Sequence, residues 1–194
     1  MTWLVAGLGN PDEKYRSTRH NAGAMVVELL AERSGERFRK TRFVPAEVAE
    51  ARIGGERVLL AKSHRFMNES GPSFASVAKK NSVPPEQLIA VHDEIDLPFG
   101  ALRIKQGGST AGHNGLNSLV SALRSDDFLR VRVGVGRPPG RGDPIGYVLK
   151  PFSKDQLPDV PLLIDDAADA VASLIEKGLE RTQDRFNRSG PRET

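Results

Sequence analysis

The stretch Trp3-Leu4-Val5-Ala6-Gly7-Leu8-Gly9-Asn10 decides the fold. Its apolar run lacks the alternation of a half-buried strand, and this is the pattern of a strand covered on both faces. It is far shorter than the roughly 20 residues that span a bilayer. No basic segment precedes it and it breaks at Gly-Leu-Gly-Asn, so it reads as a strand and not as a signal peptide. An amphipathic helix follows over 21–34, with Ala22, Met25, Val26, Leu29 and Leu30 on one face and Gly35 as its stop. A doubly buried strand followed by a helix is the opening of a layered α/β domain.

The same alternation continues along the chain. Two strands, 46–52 and 57–61, flank Gly54-Gly55, a strong hairpin pattern. A helix over 68–81 turns Phe74, Val77 and Ala78 inward and is closed by Pro84-Pro85. A buried strand at 88–92, a short strand at 101–104, a helix at 116–123, a strand at 129–135 and a long amphipathic helix at 159–178 follow. Pro138–Asp143 reads as a mobile loop. The hairpin interrupts a strict βαβ order, so the expected fold is α/β: a single domain over 1–188, with a twisted mixed β-sheet sandwiched by α-helices and a frayed tail over 189–194.

The 194 residues contain no cysteine, which excludes disulfides, thiolate catalysis and Cys-based zinc sites. The net charge of +3 is unevenly spread. From Asp155 onward nine acids face five bases, a net of −4, leaving +7 on residues 1–154. A basic body with an acidic helical tail suits an anionic partner, although charge alone fits a merely solvated surface.

Open α/β sheets carry their sites at the carboxyl ends of strands, which directs attention to the segments after Leu8, Ala61, His92 and Ile104. Gly7-Leu8-Gly9-Asn10-Pro11-Asp12 is no dinucleotide fingerprint: Asp12 stands where the third glycine belongs and would repel pyrophosphate. Its glycines serve a sharp turn that presents Asn10. His20 precedes the first helix with Asn21 as a candidate cap. Asn68 is either a helix cap or an amide that positions substrate. In His92-Asp93-Glu94-Ile95-Asp96-Leu97-Pro98 adjacent side chains alternate in direction, so the carboxylates do not converge on a metal. Asp93 reads as the orienter of an imidazole, and Asp96 as a turn or cap residue. Gly107–Gly115 approaches a helix without the P-loop spacing, and His113 and Asn114 are candidates to cap that helix or face the site. No serine lies in a G-x-S-x-G elbow. What remains is a histidine, an aspartate and several asparagines at strand ends, an inventory suited to a base that activates water.

Together these segments resemble the bacterial peptidyl-tRNA hydrolase family. The motifs are Gly7-Leu8-Gly9-Asn10-Pro11, Thr18-Arg19-His20-Asn21, Phe66-Met67-Asn68-x-Ser70-Gly71, His92 through Pro98, and Gly107-Gly108-Ser109 through Gly112-His113-Asn114-Gly115-Leu116. The strand from Arg130 to Pro138 and Gly146-Tyr147-Val148-Leu149 also fit. The resemblance implies a cytoplasmic, monomeric enzyme that cleaves the ester between a peptide and the 3′ ribose of tRNA. It implies no metal, cofactor, membrane or obligatory protein partner. By motif position His20 is the general base and Asp93 its orienting partner. Asn10, Asn68 and Asn114 position water, carbonyl or peptide; His113 matches the residue near the peptide-end groove; Tyr15 and Phe66 are substrate- or tRNA-binding; Lys105 and Arg132 hold tRNA phosphate. The chain departs from the family's pattern at Asp12 and Ala111, where glycine is usual, and at Arg65, where threonine is common. Two rival readings are an RNA-binding module without turnover and a cofactor-free esterase of small molecules.

Overall fold

A computed structural model describes residues 1–187. The tail expected over 189–194, and the last residue of the domain expected over 1–188, lie outside the described residues. The seven strands among the described residues join one sheet in the order β2-β3-β4-β1-β5-β7-β6. β1 (Thr2–Gly7) lies between β4 (Glu56–Ser63) and β5 (Leu88–Glu94), parallel to both, and β5 runs parallel to β7 (Leu129–Gly134). The margins are antiparallel: β2 (Arg39–Lys40) on β3 (Ala46–Ile53), β3 on β4, and β6 (Leu102–Gln106) on β7. The mixed sheet expected from the sequence is this one.

Helices cover both faces, which explains the uninterrupted apolar run of β1. Val5 looks into a core shared with Val26, Val27 and Leu30 of α1 (Ala22–Arg33) and Val171 and Leu174 of α5 (Val160–Lys177). Leu4 and Ala6 look the other way, toward Phe74 and Val77 of α2 (Gly71–Lys80) and Leu116 and Leu119 of α3 (Asn114–Leu123). Gly54 and Gly55 make the two-residue turn of the β3–β4 hairpin with φ of 59° and 82°, the left-handed backbone that a primed turn requires. A third, small apolar cluster joins Val135, Val148 and Phe152 beside α4 (Pro144–Val148). Among the described residues no helix is long and apolar enough to cross a membrane.

Three elements were not legible in advance. β2 is a two-residue, fully exposed edge strand. α4 spans five residues, too short for a periodicity. α6 (Leu179–Phe186) buries only Thr182 and Phe186 and is separated from α5 by Gly178 at φ 81°. The expectation that all four strand ends converge also needs correction. β6 is antiparallel to its neighbour, with Gln106 opposite Leu129, so its carboxyl end lies at the far end of the sheet. The glycine-rich segment therefore runs back toward the site.

α1 is pressed onto β5 at Gly23, where a Cβ would stand 2.0 Å from the carbonyl oxygen of Val91. Gly23→Ala must push the helix off the sheet, close to His20 and Asp93. It is expected to destabilise the protein by about 1–3 kcal/mol, the usual scale of overpacking, as read by urea unfolding.

Candidate active site

The site forms where β1, β4 and β5 end. A pocket of about 470 Å³ is lined by Asn10, Tyr15, His20, Phe66, Asn68, Asp93, His113 and Asn114, eight of the ten residues singled out in the sequence. Ile95, Thr110, Ile145, Val148 and Leu149 complete much of its wall, and sequence reasoning did not find them. These are ordinary apolar or small residues on loops and on α4, and only folding gives them a role.

Asp93 is the buried centre, its side chain 2% exposed. His20 Nδ1 lies 3.0 and 2.9 Å from its two oxygens, and His113 Nε2 lies 2.8 Å from Oδ1. His113 is also the cap of α3, its Nδ1 accepting the backbone N–H of Gly115 at 3.1 Å and of Leu116 at 3.3 Å. A nitrogen that accepts two amides carries no proton, so the proton of His113 is on Nε2 and is donated to Asp93. The same carboxylate then accepts from Nδ1–H of His20, which leaves His20 Nε2 with a free lone pair. Burial opposes the charge of Asp93, yet the imidazoles of His113 and His20 hold its carboxyl well below the usual carboxylate range.

His92 is entirely enclosed beside this pair. Its Nδ1 donates to the carbonyl of Asp93 at 2.8 Å, and its ring stands edge-on to His113 with centroids 5.0 Å apart. Burial first, then the neighbouring His113, pushes its ring down to about 3. The acids of this segment diverge as their alternation requires: Glu94 accepts from Arg132 at 3.1 Å, and Asp96 pairs with Arg137 on the surface. The group with atoms close enough to hold a cation is His20, Asp93 and His113, within 4.8 Å of one another. Here these atoms bond to each other, and a cation at His113 would have to displace its Nε2 proton.

The asparagines differ in their setting. Asn10 is tied down: its Oδ1 accepts the backbone N–H of Met67 at 2.8 Å, while Asn21 brackets its main chain with two bonds of 2.9 Å. Fixing Oδ1 also fixes the plane of the Asn10 amide and with it the N–H₂ group. Asn21 was expected to cap α1, and its side chain makes no cap bond because it is spent on Asn10. Asn68 likewise caps nothing; it is exposed in a 3₁₀ turn, Met67–Glu69, ahead of α2. Asn114 is exposed in the first turn of α3. Of the departures, Ala111 has φ 49°, a left-handed conformation natural to the usual glycine. Arg65 lies with Asn68 and Asn114 along a neighbouring groove.

Lys105 and Arg132 lie outside the pocket, on the face of β6 and β7 that also carries Arg103 and Arg130. Burial, then the guanidinium groups of Arg130 and Arg132, lower the ammonium of Lys105 from its ordinary value. Arg130, missed in the sequence, is fully buried and donates to the carbonyls of Ser109 at 2.8 Å and Gly108 at 2.6 Å. It thereby holds the returning glycine-rich segment on the sheet.

A carboxylate-held imidazole among side-chain amides, in a pocket without serine or cysteine on a mixed sheet, defines a hydrolase built on one α/β domain. Residues 4–194 match the family described as Peptidyl-tRNA hydrolase. The chain is 50% identical over 184 residues to a peptidyl-tRNA hydrolase of Nocardia farcinica, covering 95% of each chain. It is 53% identical over 185 residues to one of Frankia casuarinae, covering 95% of this chain and 93% of that one. The crystal structure of peptidyl-tRNA hydrolase from Acinetobacter baumannii is similar with a TM-score of 0.91 at 32% identity, over 98% of this chain and 97% of that one. The chain belongs to the peptidyl-tRNA hydrolase family.

The depressed ring of His92 predicts an acid sensitivity. Its folded value of about 3 lies below the ordinary 6.5, so its contribution to stability is complete above pH 6.5 and shrinks as pH falls toward 3. Asp93, also depressed, adds a loss at still lower pH. Urea unfolding should therefore show stability falling steadily as pH drops from 6.5 toward 4, and His92→Asn should flatten that fall.

Proposed function

We propose that this enzyme hydrolyses the ester joining a peptide to the 3′ ribose of tRNA, with His20 as general base. The observation that supports this most directly is the bond from His20 Nδ1 to Asp93, 2.9 Å, which in the neutral ring places the proton on Nδ1 and leaves the Nε2 lone pair of this pocket-lining residue free. Nε2 takes a proton from water as the water oxygen attacks the ester carbonyl. The oxyanion that forms receives N–H groups from the side-chain amides, of which Asn10 is the best fixed. The intermediate then collapses, the C–O bond to the ribose breaks, and His20 returns its proton to the departing ribose oxygen. The products are a peptide carboxylate and a tRNA with a free 3′ hydroxyl. Asn68 and Asn114 hold the peptide, and Tyr15 and Phe66 flank it at the pocket.

Phosphate recognition falls to Lys105 and Arg132. The crowding of positive charge that lowers Lys105 supports this reading, since an anion relieves it. Arg132 is already shared with Glu94, so Lys105 is the stronger of the two contacts. On this reading the enzyme acts as a monomer in the cytoplasm, where such a substrate arises.

Peptidyl-tRNA release in the presence of EDTA, beside release from a free peptidyl ester, separates this reading from a binding module and from a small-molecule esterase. His20→Ala should lower kcat by about 10²–10⁴ with the fold retained, the range for loss of a general base. Near-normal turnover in that variant rejects the mechanism. Lys105→Ala should raise KM for peptidyl-tRNA and flatten its dependence on log salt by roughly 0.7–0.9. Arg132→Ala should do the same to a smaller degree. A short peptidyl-nucleotide without the stem should be cleaved as before by both variants, and equal losses on both substrates would remove these residues from phosphate binding.

A further inference from the structure

Arg19 precedes the catalytic histidine, and nothing in the proposed chemistry uses it. It is 4% exposed, and no carboxylate pairs with it among the described residues. A buried guanidinium without a counter-ion must draw its stabilisation from dipoles and π faces. Arg19 draws it almost entirely from one distant segment. Its carbon Cζ lies 3.8 Å from the ring centre of Tyr147 and 5.7 Å from that of Phe152. Nη1 donates to the carbonyls of Tyr147 at 3.1 Å and Lys150 at 3.4 Å, and Nη2 donates to Gln156 Oε1 at 2.9 Å. Its backbone N–H donates to Lys150 O at 3.1 Å, and Thr18 forms a bridge with Pro151.

That segment runs from the end of α4 to Gln156, and Ile145 and Val148 of α4, with Leu149 just after it, form one wall of the pocket. The wall has few backbone ties of its own. α4 is five residues long, Ile145 is 69% exposed, and Val148 belongs to the small third cluster, which Met25, Phe99 and Val160 join to the larger core. Its other ties include the hydroxyl of Tyr147 on Val135 O at 3.1 Å, the cap made by Asp143, and the packing of Met25, Ile95, Phe99 and Val160 on the third cluster.

We propose that Arg19 is a positioning residue that clamps the α4 wall to the turn bearing His20 and so sets how tightly the pocket holds an apolar peptide side chain. Arginine is required because its planar fork reaches two carbonyls and an amide oxygen while stacking on a ring, and lysine offers neither the fork nor the stack. The inference rests on the hydrolase reading for its substrate and on the geometry alone for the clamp.

The test therefore has two arms. In the first, amide hydrogen exchange compares the wild type with Arg19→Lys. Exchange should rise over 144–151, with β1 and β5 unchanged; unchanged exchange over 144–151 overturns the clamp whatever the enzyme's substrate. In the second, kinetics are measured on peptidyl-tRNA ending in leucine or in glycine at the ester. Arg19→Lys should raise KM for the leucine substrate about tenfold, the scale of one misplaced apolar contact, with little change for glycine and in kcat. Combined with Ile145→Ala it should add little to the KM of that single variant, because both act through the same wall. Fully additive effects, or a fall in kcat equal for both substrates, overturn the specificity role. If the wild type cleaves neither substrate, the hydrolase reading fails, and the exchange arm still decides the clamp.

Discussion

One buried carboxylate organises this molecule. Asp93 stands at the end of β5 and accepts hydrogen bonds from two imidazoles that arrive from different parts of the chain, His20 ahead of α1 and His113 at the head of α3. The bonds are strong because the acceptor is charged and shielded from water. They also fix protons. The amides of Gly115 and Leu116 occupy His113 Nδ1, so its proton goes to Nε2 and on to Asp93. Asp93 in turn holds the proton of His20 on Nδ1. One carboxylate thus joins the His20 turn to the cap of a helix more than ninety positions later in the sequence. His92, kept neutral by its enclosure, adds no positive charge that would compete for the same carboxylate.

The sheet supplies the precision this arrangement needs. Gly7 pairs with Val91, and Gly23 allows α1 to lie against the Val91 carbonyl, so the His20 turn and Asp93 are fixed to one rigid frame. The opposite flank is built differently. β6 runs against the other central strands, and its glycine-rich sequel is carried back over the sheet by the buried Arg130. That return path brings His113 to Asp93, while Lys105 and Arg132 stay half-buried outside the pocket. Two buried arginines thus organise loops by binding carbonyl oxygens, Arg130 on this flank and Arg19 on α4.

The sequence was most legible where burial is two-sided. The run in β1, the Gly54-Gly55 hairpin and the apolar faces of α1, α2 and α5 all read correctly, because tertiary burial and local pattern agree there. The pocket asparagines and His20 were legible because polar groups at strand ends have few structural uses. Connections between elements were not. Nothing local says that β6 is antiparallel, that Asn21 is committed to Asn10 instead of to its helix, or that His113 reaches Asp93. α4 was missed because five residues carry no period, and its apolar side chains gain meaning only from the pocket they close.

The central claim is that Asp93 and the α3 cap together fix the protons of two histidines, and nitrogen-15 NMR of the imidazoles tests it most directly. At neutral pH the account predicts His113 protonated on Nε2 with Nδ1 bare, and His20 protonated on Nδ1 with Nε2 bare. In Asp93→Asn the His20 ring should become a mixture of tautomers, while His113 keeps Nδ1 bare through its hold on Gly115 and Leu116. A neutral His20 carrying its proton on Nε2 in the wild type would contradict the account, because that nitrogen could not then take a proton from water.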